Sequence, residues 1–316
     1  MTPARARAIV DDPSFALPRP GRGHTLDRFA ALVRACSDDI STGRLVEAHA
    51  DADAILAEIC GGGTAPGEFW GVWAAEGRDT RVEARPTAGG WELSGIKEWC
   101  SGATSCTHAL VTAHTDAGNR LFAVDLGRPG VSADSSAWTN TGMRDSDTGT
   151  VTFDAVPADP VGEPGAYLDR PGFWQGGIGV AACWFGGARK VAAPLYRAAE
   201  RSDDALLRMH AGAVDAHLAA GWAHLQAAAH EIDNDPTASA KRLAFAVRWS
   251  VEQVATAVID RVGRALGPGP LAADPDHAQA VADLTVYIRQ SHADRDLAVL
   301  GGLTGGRIPG PGSETS

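Results

Sequence analysis

The feature that most constrains the fold is a segment of short, alternating apolar and polar runs between Gly90 and Val161. Gly, Pro, Asn and Asp separate these runs, as in LSGIKEW, HALVTAH and LFAVDLGRPG. Such runs are typical of a small antiparallel β-domain, because alternate side chains of a strand face opposite sides of the sheet. Helical sequence lies on both sides of the segment, so the chain combines a β-domain with helices that precede and follow it.

Helical spacing of apolar residues predicts the elements that flank the β-domain. Before it, one helix face carries Leu26, Phe29, Leu32 and Val33. After it, apolar residues recur at intervals of three to seven in two long stretches, 207–232 and 243–262. Each stretch gives a helix with one apolar stripe, and such stripes pack against each other in a helical bundle.

These patterns divide the chain into five parts and place it in the α+β class. We expect a flexible leader over residues 1–23, which are rich in Pro, Arg and Gly, and a disordered tail over residues 303–316. Between them we expect an N-terminal helical segment (24–69), a middle β-domain (70–162) and a C-terminal helical bundle (163–302).

Composition excludes several classes of protein. The chain has 316 residues, of which 44% are hydrophobic, and this is enough to bury a core. Its formal net charge is −11 without a long basic run, which argues against nucleic acid or an anionic membrane as a partner. No apolar run approaches the ~20 residues that span a bilayer, and the first 23 residues lack the apolar core of a signal peptide. We therefore expect a cytoplasmic protein.

The cysteines and histidines predict no metal site. The five cysteines are scattered and include no C-x-x-C, which fits reduced thiols in the cytosol. His49 lies in the sequence HADAD, but residues i, i+2 and i+4 do not converge on one face of a helix. A solvated helix face is therefore favoured over a metal centre there.

Fixed positions in the β-domain resemble the middle domain of the acyl-CoA dehydrogenase family. The family pattern includes W-x-L-x-G-x-K-x-W-x-[TS], then G-M-R-x-S, then V-x-F-x-x-V. The matching residues are Gly90, Trp91, Leu93, Gly95, Lys97, Trp99 and Ser101, then Gly142, Met143, Arg144 and Ser146, then Val151, Phe153 and Val156. So many positions in order over about seventy residues are more specific than one short motif.

The resemblance implies an acyl-CoA dehydrogenase-like fold that holds FAD between the β-domain and the bundle. Trp99 would pack against the isoalloxazine ring, and Ser101 would face its pyrimidine and N5 edge. The backbone of Trp73 to Ala75 would also bond the flavin, since a backbone contact requires no particular side chain. The open alternative is that Trp99 belongs to the barrel core and Ser101 to a turn.

The resemblance extends to the half of FAD that carries the adenosine diphosphate. The turn that contains Arg264 and Gly267 resembles the family's Q-x-x-G-G-x-G element, which a neighbouring subunit contributes. Arg201 is the nearest match to an Arg that reaches the pyrophosphate, although the usual Phe-Gly does not follow it. Shared flavin sites imply a homo-oligomer, either a dimer or a tetramer. The alternative for the turn is a helix C-cap followed by a loop that Pro bends.

The segment from Asp283 resembles the family segment in which a Glu removes the substrate α-proton. Aligned on Asp283, Ser291 takes the position of that Glu and His292 lies beside it. A Ser hydroxyl is not basic near neutral pH whereas imidazole is, so His292 is the candidate base. On a helix, Arg295 or Asp296 would orient it. The alternative is a solvated helix face with ordinary ion pairs.

Three functions follow from the resemblance. The first is the FAD-dependent oxidation of an acyl thioester, as acyl-CoA or carrier-bound, at the Cα–Cβ bond with a separate electron acceptor. The second is a flavin-dependent monooxygenase or oxidase that reacts with oxygen and a small-molecule substrate. The third is a non-catalytic family member. The family's Gly-Ser pair, which contacts the thioester, is absent after Glu76, and the N-terminal helical segment is shorter than usual.

Overall fold

The structure, a computed structural model, describes residues 2–12, 14–15, 17–77 and 79–306. In this part of the chain, three helices come first, seven strands follow, and further helices complete the molecule. This order confirms the α+β class and the middle β-domain that the sequence predicts. Residues 307–316, which make up most of the predicted tail, lie outside the described residues.

The helices before the β-domain are α1 (Thr2–Val10), α2 (Thr25–Asp38) and α3 (Ile40–Cys60). Asp39 separates α2 from α3, and its side chain accepts a hydrogen bond of 2.7 Å from the backbone N–H of Thr42. This bond caps the N-terminus of α3. Gly61 ends α3 in the left-handed region, with a φ of 73°.

Helix α1 occupies part of the stretch in which the sequence predicts a flexible leader. Ala6 is fully buried and shares an apolar cluster with Leu45 and Val46 of α3. A helix of nine residues is marginal alone, and its narrow apolar face is completed only by a neighbouring helix. The leader prediction misses this contact because the partner residues lie some forty positions further along the chain.

Seven strands form the β-domain: β1 (Trp70–Trp73), β2 (Val82–Thr87), β3 (Gly90–Cys100), β4 (His108–Thr115), β5 (Gly118–Asp125), β6 (Val131–Asp134) and β7 (Gly149–Val161). The order along the sheet is β1-β4-β2-β3-β7-β5, and β6 pairs with β7. An additional pairing of β4 with β5 closes the sheet into a barrel. Most pairings are antiparallel as predicted, but β1 and β2 each pair with β4 in parallel.

The C-terminal helices are α4 (Ala166–Asp169), α5 (Pro171–Glu200), α6 (Ala205–Asn234), α7 (Lys241–Leu266), α8 (Gly269–Ala273), α9 (Pro275–Tyr287) and α10 (Asp294–Gly302). Helix α5 lies at the centre and packs against α2, α6, α7 and α9. The apolar stripes predicted on α6 and α7 supply core residues, among them Val214, Leu225, Ile232, Val247, Val251, Val254, Val258 and Val262. In the described part of the chain, no helix is both long and apolar enough to cross a membrane.

The G-M-R motif forms the joint between the β-domain and the bundle. Gly142 lies against the backbone of α9, where an added Cβ would be only 2.3 Å from the carbonyl oxygen of Ala282. The backbone N–H of Met143, at a φ of 58°, donates to Asp283 Oδ1 at 2.6 Å. Ser41 Oγ of α3 lies 3.9 Å from Met143 Sδ. One loop of the β-domain thus contacts α3 and α9 together.

Candidate functional site

Trp99 lies at an irregular end of strand β3. The pairing of β3 with β7 shifts register between Lys97 and Cys100, and Trp99 adopts a φ of 61°. Such irregularities re-aim a side chain relative to the regular pleat. The indole is 59% exposed and contacts Trp138 edge to face, with ring centroids 5.9 Å apart. Trp99 therefore lies outside the barrel core and presents an aromatic face at the surface.

Ser101 begins a chain of hydroxyl groups directly behind Trp99. Ser101 Oγ lies 3.1 Å from Thr148 Oγ1, which lies 2.7 Å from Ser146 Oγ. Ser146 Oγ donates to the carbonyl oxygen of Met143 at 2.6 Å. All of these hydroxyls are buried. Trp73 Nε1 donates to the carbonyl oxygen of Ser101 at 3.0 Å, so the structure brings together two predicted flavin contacts.

The loop that follows Ser101 is held against the loop of the G-M-R motif. Gly102 N–H donates to the carbonyl oxygen of Ser146 at 3.0 Å, and Thr104 N–H donates to Asp147 Oδ2 at 2.9 Å. A pocket of about 320 Å³ opens between these loops, with Trp138, Arg144 and Thr148 in its lining. Because Trp138 contacts the exposed Trp99 and also lines this pocket, the Trp99 indole and the pocket are neighbours.

A buried charge supports the other backbone segment of the site, Trp73 to Ala75. Lys97 is 1% exposed, and its Nζ donates to Glu76 Oε1 at 3.1 Å and to Thr112 Oγ1 at 2.8 Å. Burial lowers the pKa of Lys97, and the charge of Glu76 opposes this shift. For Glu76, burial acts to raise the pKa, but Lys97 outweighs it and the pKa is lowered. Lys97 thereby fixes the loop that begins at Ala74.

The sequence contains a signal for part of this cluster. Lys97 belongs to the matched pattern, and Glu76 stands where the family has its acidic residue. Thr112 and His114 have no such signal, because only the pairing of strands brings β4 beside Glu76. His114 Nε2 lies 3.5 Å from Glu76 Oε2. A second pocket, of about 480 Å³, includes Ala74, Glu76 and Thr112 in its lining.

His292 lies in a break between helices, whereas the sequence analysis places His292, Arg295 and Asp296 on a helix. A short 3₁₀ turn covers Ile288–Gln290, Ser291 is extended, and α10 begins only at Asp294. Asp296 accepts from the backbone N–H of His292 at 3.1 Å, as an acidic residue in the first turn of a helix does. His292 and Asp296 therefore do not share a helix face, because α10 begins after His292, but Asp296 in the first turn of α10 still contacts the His292 side chain.

The contacts of His292 are local. Its side chain is 74% exposed, with Nδ1 3.3 Å from Asp296 Oδ1. Ser291 Oγ accepts from the backbone N–H of Ala293 at 3.2 Å, and Arg295 N–H donates to the carbonyl oxygen of His292 at 3.1 Å. Within the described ranges, no hydrogen bond or ion pair connects His292 with the end of β3.

The residues predicted to approach the diphosphate lie at helix ends. Arg201 follows α5 and is exposed, and its backbone N–H donates to the carbonyl oxygen of Ala198 at 3.2 Å. Arg264 Nε contacts both carboxylate oxygens of Asp260, at 2.9 and 2.8 Å, in an exposed ion pair. Gly267 ends α7 with a φ of 66°. This geometry is that of a helix C-cap followed by the short helix α8, the alternative weighed for the turn.

Comparison with known proteins supports the resemblance. The family profile described as "Acyl-CoA dehydrogenase, middle domain" matches residues 74–156. A curated relative, the "Probable FMNH2-dependent monooxygenase SfnC" of Pseudomonas putida, is 37% identical over 91 residues. That match covers 28% of this chain and 22% of the relative, so it spans about a fifth of the relative's length.

Solved structures share the fold over most of the chain. Glutaryl-CoA dehydrogenase from Mycobacterium smegmatis is 16% identical, with a TM-score of 0.80 over 98% of this chain and 87% of that one. KijD3 in complex with FMN and dTDP-3-amino-2,3,6-trideoxy-4-keto-3-methyl-D-glucose is 21% identical, with a TM-score of 0.76 over 88% and 78%. Dibenzothiophene monooxygenase (TdsC) from Paenibacillus sp. A11-2 is 20% identical, with a TM-score of 0.73 over 91% and 85%. At these identities the likeness concerns the fold.

Proposed function

We propose that this chain, which has the acyl-CoA dehydrogenase fold and that family's middle domain, is a flavin-dependent monooxygenase that works with reduced FMN. The observation that carries the proposal is the exposed indole of Trp99 beside the buried hydroxyl chain of Ser101. The indole offers a flat apolar face to a tricyclic ring, and the hydroxyls offer hydrogen bonds to its polar edge. The residues present at the end of β3 thus fit a flavin.

The proposal favours oxygen chemistry over thioester oxidation. Removal of an α-proton from a thioester needs a general base, and Ser291 stands at the aligned position of the family's Glu. The imidazole of His292, the next residue, is exposed and contacts Asp296. The Pseudomonas putida relative is described as FMNH2-dependent, which supports the same choice. Oxidation of an acyl thioester is the second candidate, and the structural likeness to glutaryl-CoA dehydrogenase supports it.

The choice of FMN over the predicted FAD rests on the diphosphate region. Arg264 is engaged by Asp260 in this chain, and no Phe-Gly follows Arg201. FMN lacks the adenosine monophosphate part of FAD and carries a single phosphate, so it depends less on these two residues. KijD3 was solved with FMN, and a glutaryl-CoA dehydrogenase of Mycobacterium smegmatis was solved with FADH2, so the fold holds both flavins.

Each residue of the site would have a separate role in the reaction. Reduced flavin supplies the electrons that activate oxygen. Trp99 would cover one face of the ring and exclude water, while Ser101 would bind its edge through the fixed hydroxyl chain. Lys97 would keep the backbone at Ala74 in position through Glu76. His292, oriented by Asp296, would carry a proton to or from the substrate. A homo-oligomer and a cytoplasmic location remain part of the proposal.

Flavin binding tests the proposal first. We expect purified protein to bind FMN more tightly than FAD in a fluorescence titration. Trp99→Ala should weaken FMN binding roughly tenfold, because one aromatic contact with the ring is lost. Trp249→Ala is the matched control, since this indole is also exposed but lies on α7. Equal loss in both variants, or no flavin binding at all, would overturn the proposal.

Turnover then separates the candidate reactions. With a flavin supplied in reduced form and oxygen admitted, we expect oxygenated product from a small-molecule substrate. Without oxygen, acyl-CoA should leave the absorbance of bound oxidised flavin unchanged, and bleaching would instead establish thioester oxidation. His292→Ala should lower turnover at least about 100-fold while FMN stays bound. Full activity of that variant would remove His292 from the mechanism.

A further inference from the structure

A cavity of about 920 Å³ opens to solvent where α2, α5 and α6 meet. It is larger than the pockets of about 320 and 480 Å³ beside the proposed flavin site. All of its lining residues belong to these three helices, so the cavity is separate from the end of β3. Small side chains leave the space free: Ala30, Ala192, Ala193 and Ala219. Pockets of this volume bind small molecules.

One wall of the cavity is aromatic. The rings of Phe185 and Trp222 stack with an interplanar angle of 27° and centroids 5.9 Å apart. Phe185 is buried and Trp222 is half-buried, so packing holds both rings in place. Val33 and Leu218 extend the apolar surface. Such a wall favours the flat apolar body of a ligand.

Three arginines line the same cavity, Arg34 from α2 and Arg189 and Arg197 from α5. All three are exposed, and within the described part of the chain none of them forms an ion pair. Asp215 is the acidic residue among the lining side chains, and its Oδ1 accepts from Tyr196 Oη at 3.1 Å. The lining is therefore positive in a chain whose formal net charge is −11. A local positive cluster of this kind attracts an anion.

We propose that this cavity binds an aromatic molecule that carries a carboxylate or a phosphate group. A guanidinium group binds either oxyanion through two parallel N–H···O bonds. Phe185 precedes Arg189 by four residues, so the aromatic wall and the first guanidinium are about 6 Å apart along α5. This spacing allows one ligand to place its ring on the wall and its oxyanion at the arginines. The site is distinct from the proposed flavin site and does not depend on it.

Three probes with the same naphthalene ring test the proposal on the full chain without flavin. 1-Naphthyl phosphate and 1-naphthoate are anions, and 1-naphthalenemethanol is neutral. In isothermal titration calorimetry, we expect the better anion to bind at least about tenfold more tightly than the alcohol, as charged hydrogen bonds provide. The better anion identifies the oxyanion. This preference should shrink as salt is added, because salt screens exposed charges.

A pair of double variants tests the role of the arginines. Arg189→Gln with Arg197→Gln should lower the affinity for the preferred anion at least about tenfold and leave that for the alcohol unchanged. Arg85→Gln with Arg242→Gln is the matched control, since it removes the same charge from exposed residues of β2 and α7. Equal affinities of the two double variants would show that net charge alone attracts the probe, and this would overturn the proposal.

A second pair of variants tests the cavity itself. Ala219→Leu places a larger side chain in the lining and should weaken binding of all three probes. Ala227→Leu is its control, because Ala227 is also an exposed residue of α6 but lies outside the lining. Both variants should keep the melting temperature of the wild type, since neither side chain is in the core. Unchanged probe affinity in Ala219→Leu would overturn the proposal.

Trp99→Ala separates this site from the proposed flavin site. The variant should bind the naphthalene probes as tightly as the wild type does. If it loses as much affinity as the arginine double variant, the probes occupy the flavin site and the proposal is overturned. Equal binding of the three probes, or no binding of any, would also overturn it. FMN titration of the same samples keeps the outcomes distinct, because a failure of Trp99→Ala to weaken FMN binding counts against the proposed function alone.

Discussion

Two sets of buried polar side chains differ in how completely they are bonded. In the β-domain, Lys97 is buried but donates to a carboxylate, a hydroxyl and a carbonyl group. In the helical part, Trp184 and Tyr287 are equally buried, yet their polar atoms have no hydrogen-bond partner among the described residues. The satisfied set holds a backbone segment in place, whereas the other set contributes to the core through apolar packing. The two sets have similar exposed fractions and differ in the number of hydrogen bonds that their polar atoms form.

The largest expected effect comes from breaking the satisfied set. Lys97→Met should lower the free energy of unfolding by about 3 kcal/mol, because Thr112 and Glu76 lose their buried partner. Urea unfolding followed by circular dichroism measures this loss. Lys190→Met serves as the control, since Lys190 makes a single exposed hydrogen bond. If the two variants unfold at the same urea concentration, the Lys97 cluster does not stabilise the β-domain.

The joint between the two regions is the next test. Gly142→Ala would place a methyl group 2.3 Å from the carbonyl oxygen of Ala282, so the loop or α9 must shift. We expect a loss of about 2 kcal/mol in the free energy of unfolding, typical of overpacking at a tight contact. Gly263→Ala, on α7 with open space around it, is the control and should keep or slightly raise the free energy of unfolding, because Ala favours the helix more than Gly does. Equal free energies of unfolding for the two variants would show that the loop or α9 accommodates the methyl group at little cost.

The pH dependence of stability sharpens the role of Glu76. The pKa of Glu76 is lower in the folded protein than its ordinary value of 4.5. Ionised Glu76 therefore stabilises the fold above about pH 4.5, and this stabilisation is lost as the pH falls through the pKa of the folded protein. Glu76→Gln should therefore flatten the decline of the melting temperature below about pH 4.5. The effect is small because Glu76 is partly exposed. If the melting temperature of the variant falls as steeply with pH as that of the wild type, ionised Glu76 does not stabilise the folded protein.

The smallest expected effect concerns the exposed aromatic group. Trp99→Ala should change the free energy of unfolding by no more than about 0.5 kcal/mol, since most of the indole already faces solvent. Thermal unfolding without flavin measures this. A loss of several times that size would mean that Trp99 supports the β-domain, and its effect on FMN binding would then reflect stability rather than contact with the ring.

The sequence predicted more of the fold than of the site. The ordered positions from Trp91 to Val156 identified the middle domain, and the apolar stripes identified the long helices of the bundle. The helix expected at His292 is absent, because α9 ends at Tyr287 and the side chain of Asp296 accepts from the His292 N–H at the start of α10. The spacing of apolar residues does not predict where a side chain competes for a backbone hydrogen bond and so interrupts a helix.

By itself, the sequence determined the α+β class, the place of the β-domain and the residues that resemble a flavin site, because side-chain periodicity and glycine positions act locally. Only the tertiary structure decided that Trp99 is exposed and that Lys97 meets Thr112. It also decided that, within the described part of the chain, the donors of Trp184 and Tyr287 have no hydrogen-bond partner. These properties depend on strand pairing and helix packing between residues far apart in the chain. Hydrogen bonds between such residues produce no repeating pattern in the sequence, so the sequence does not predict them.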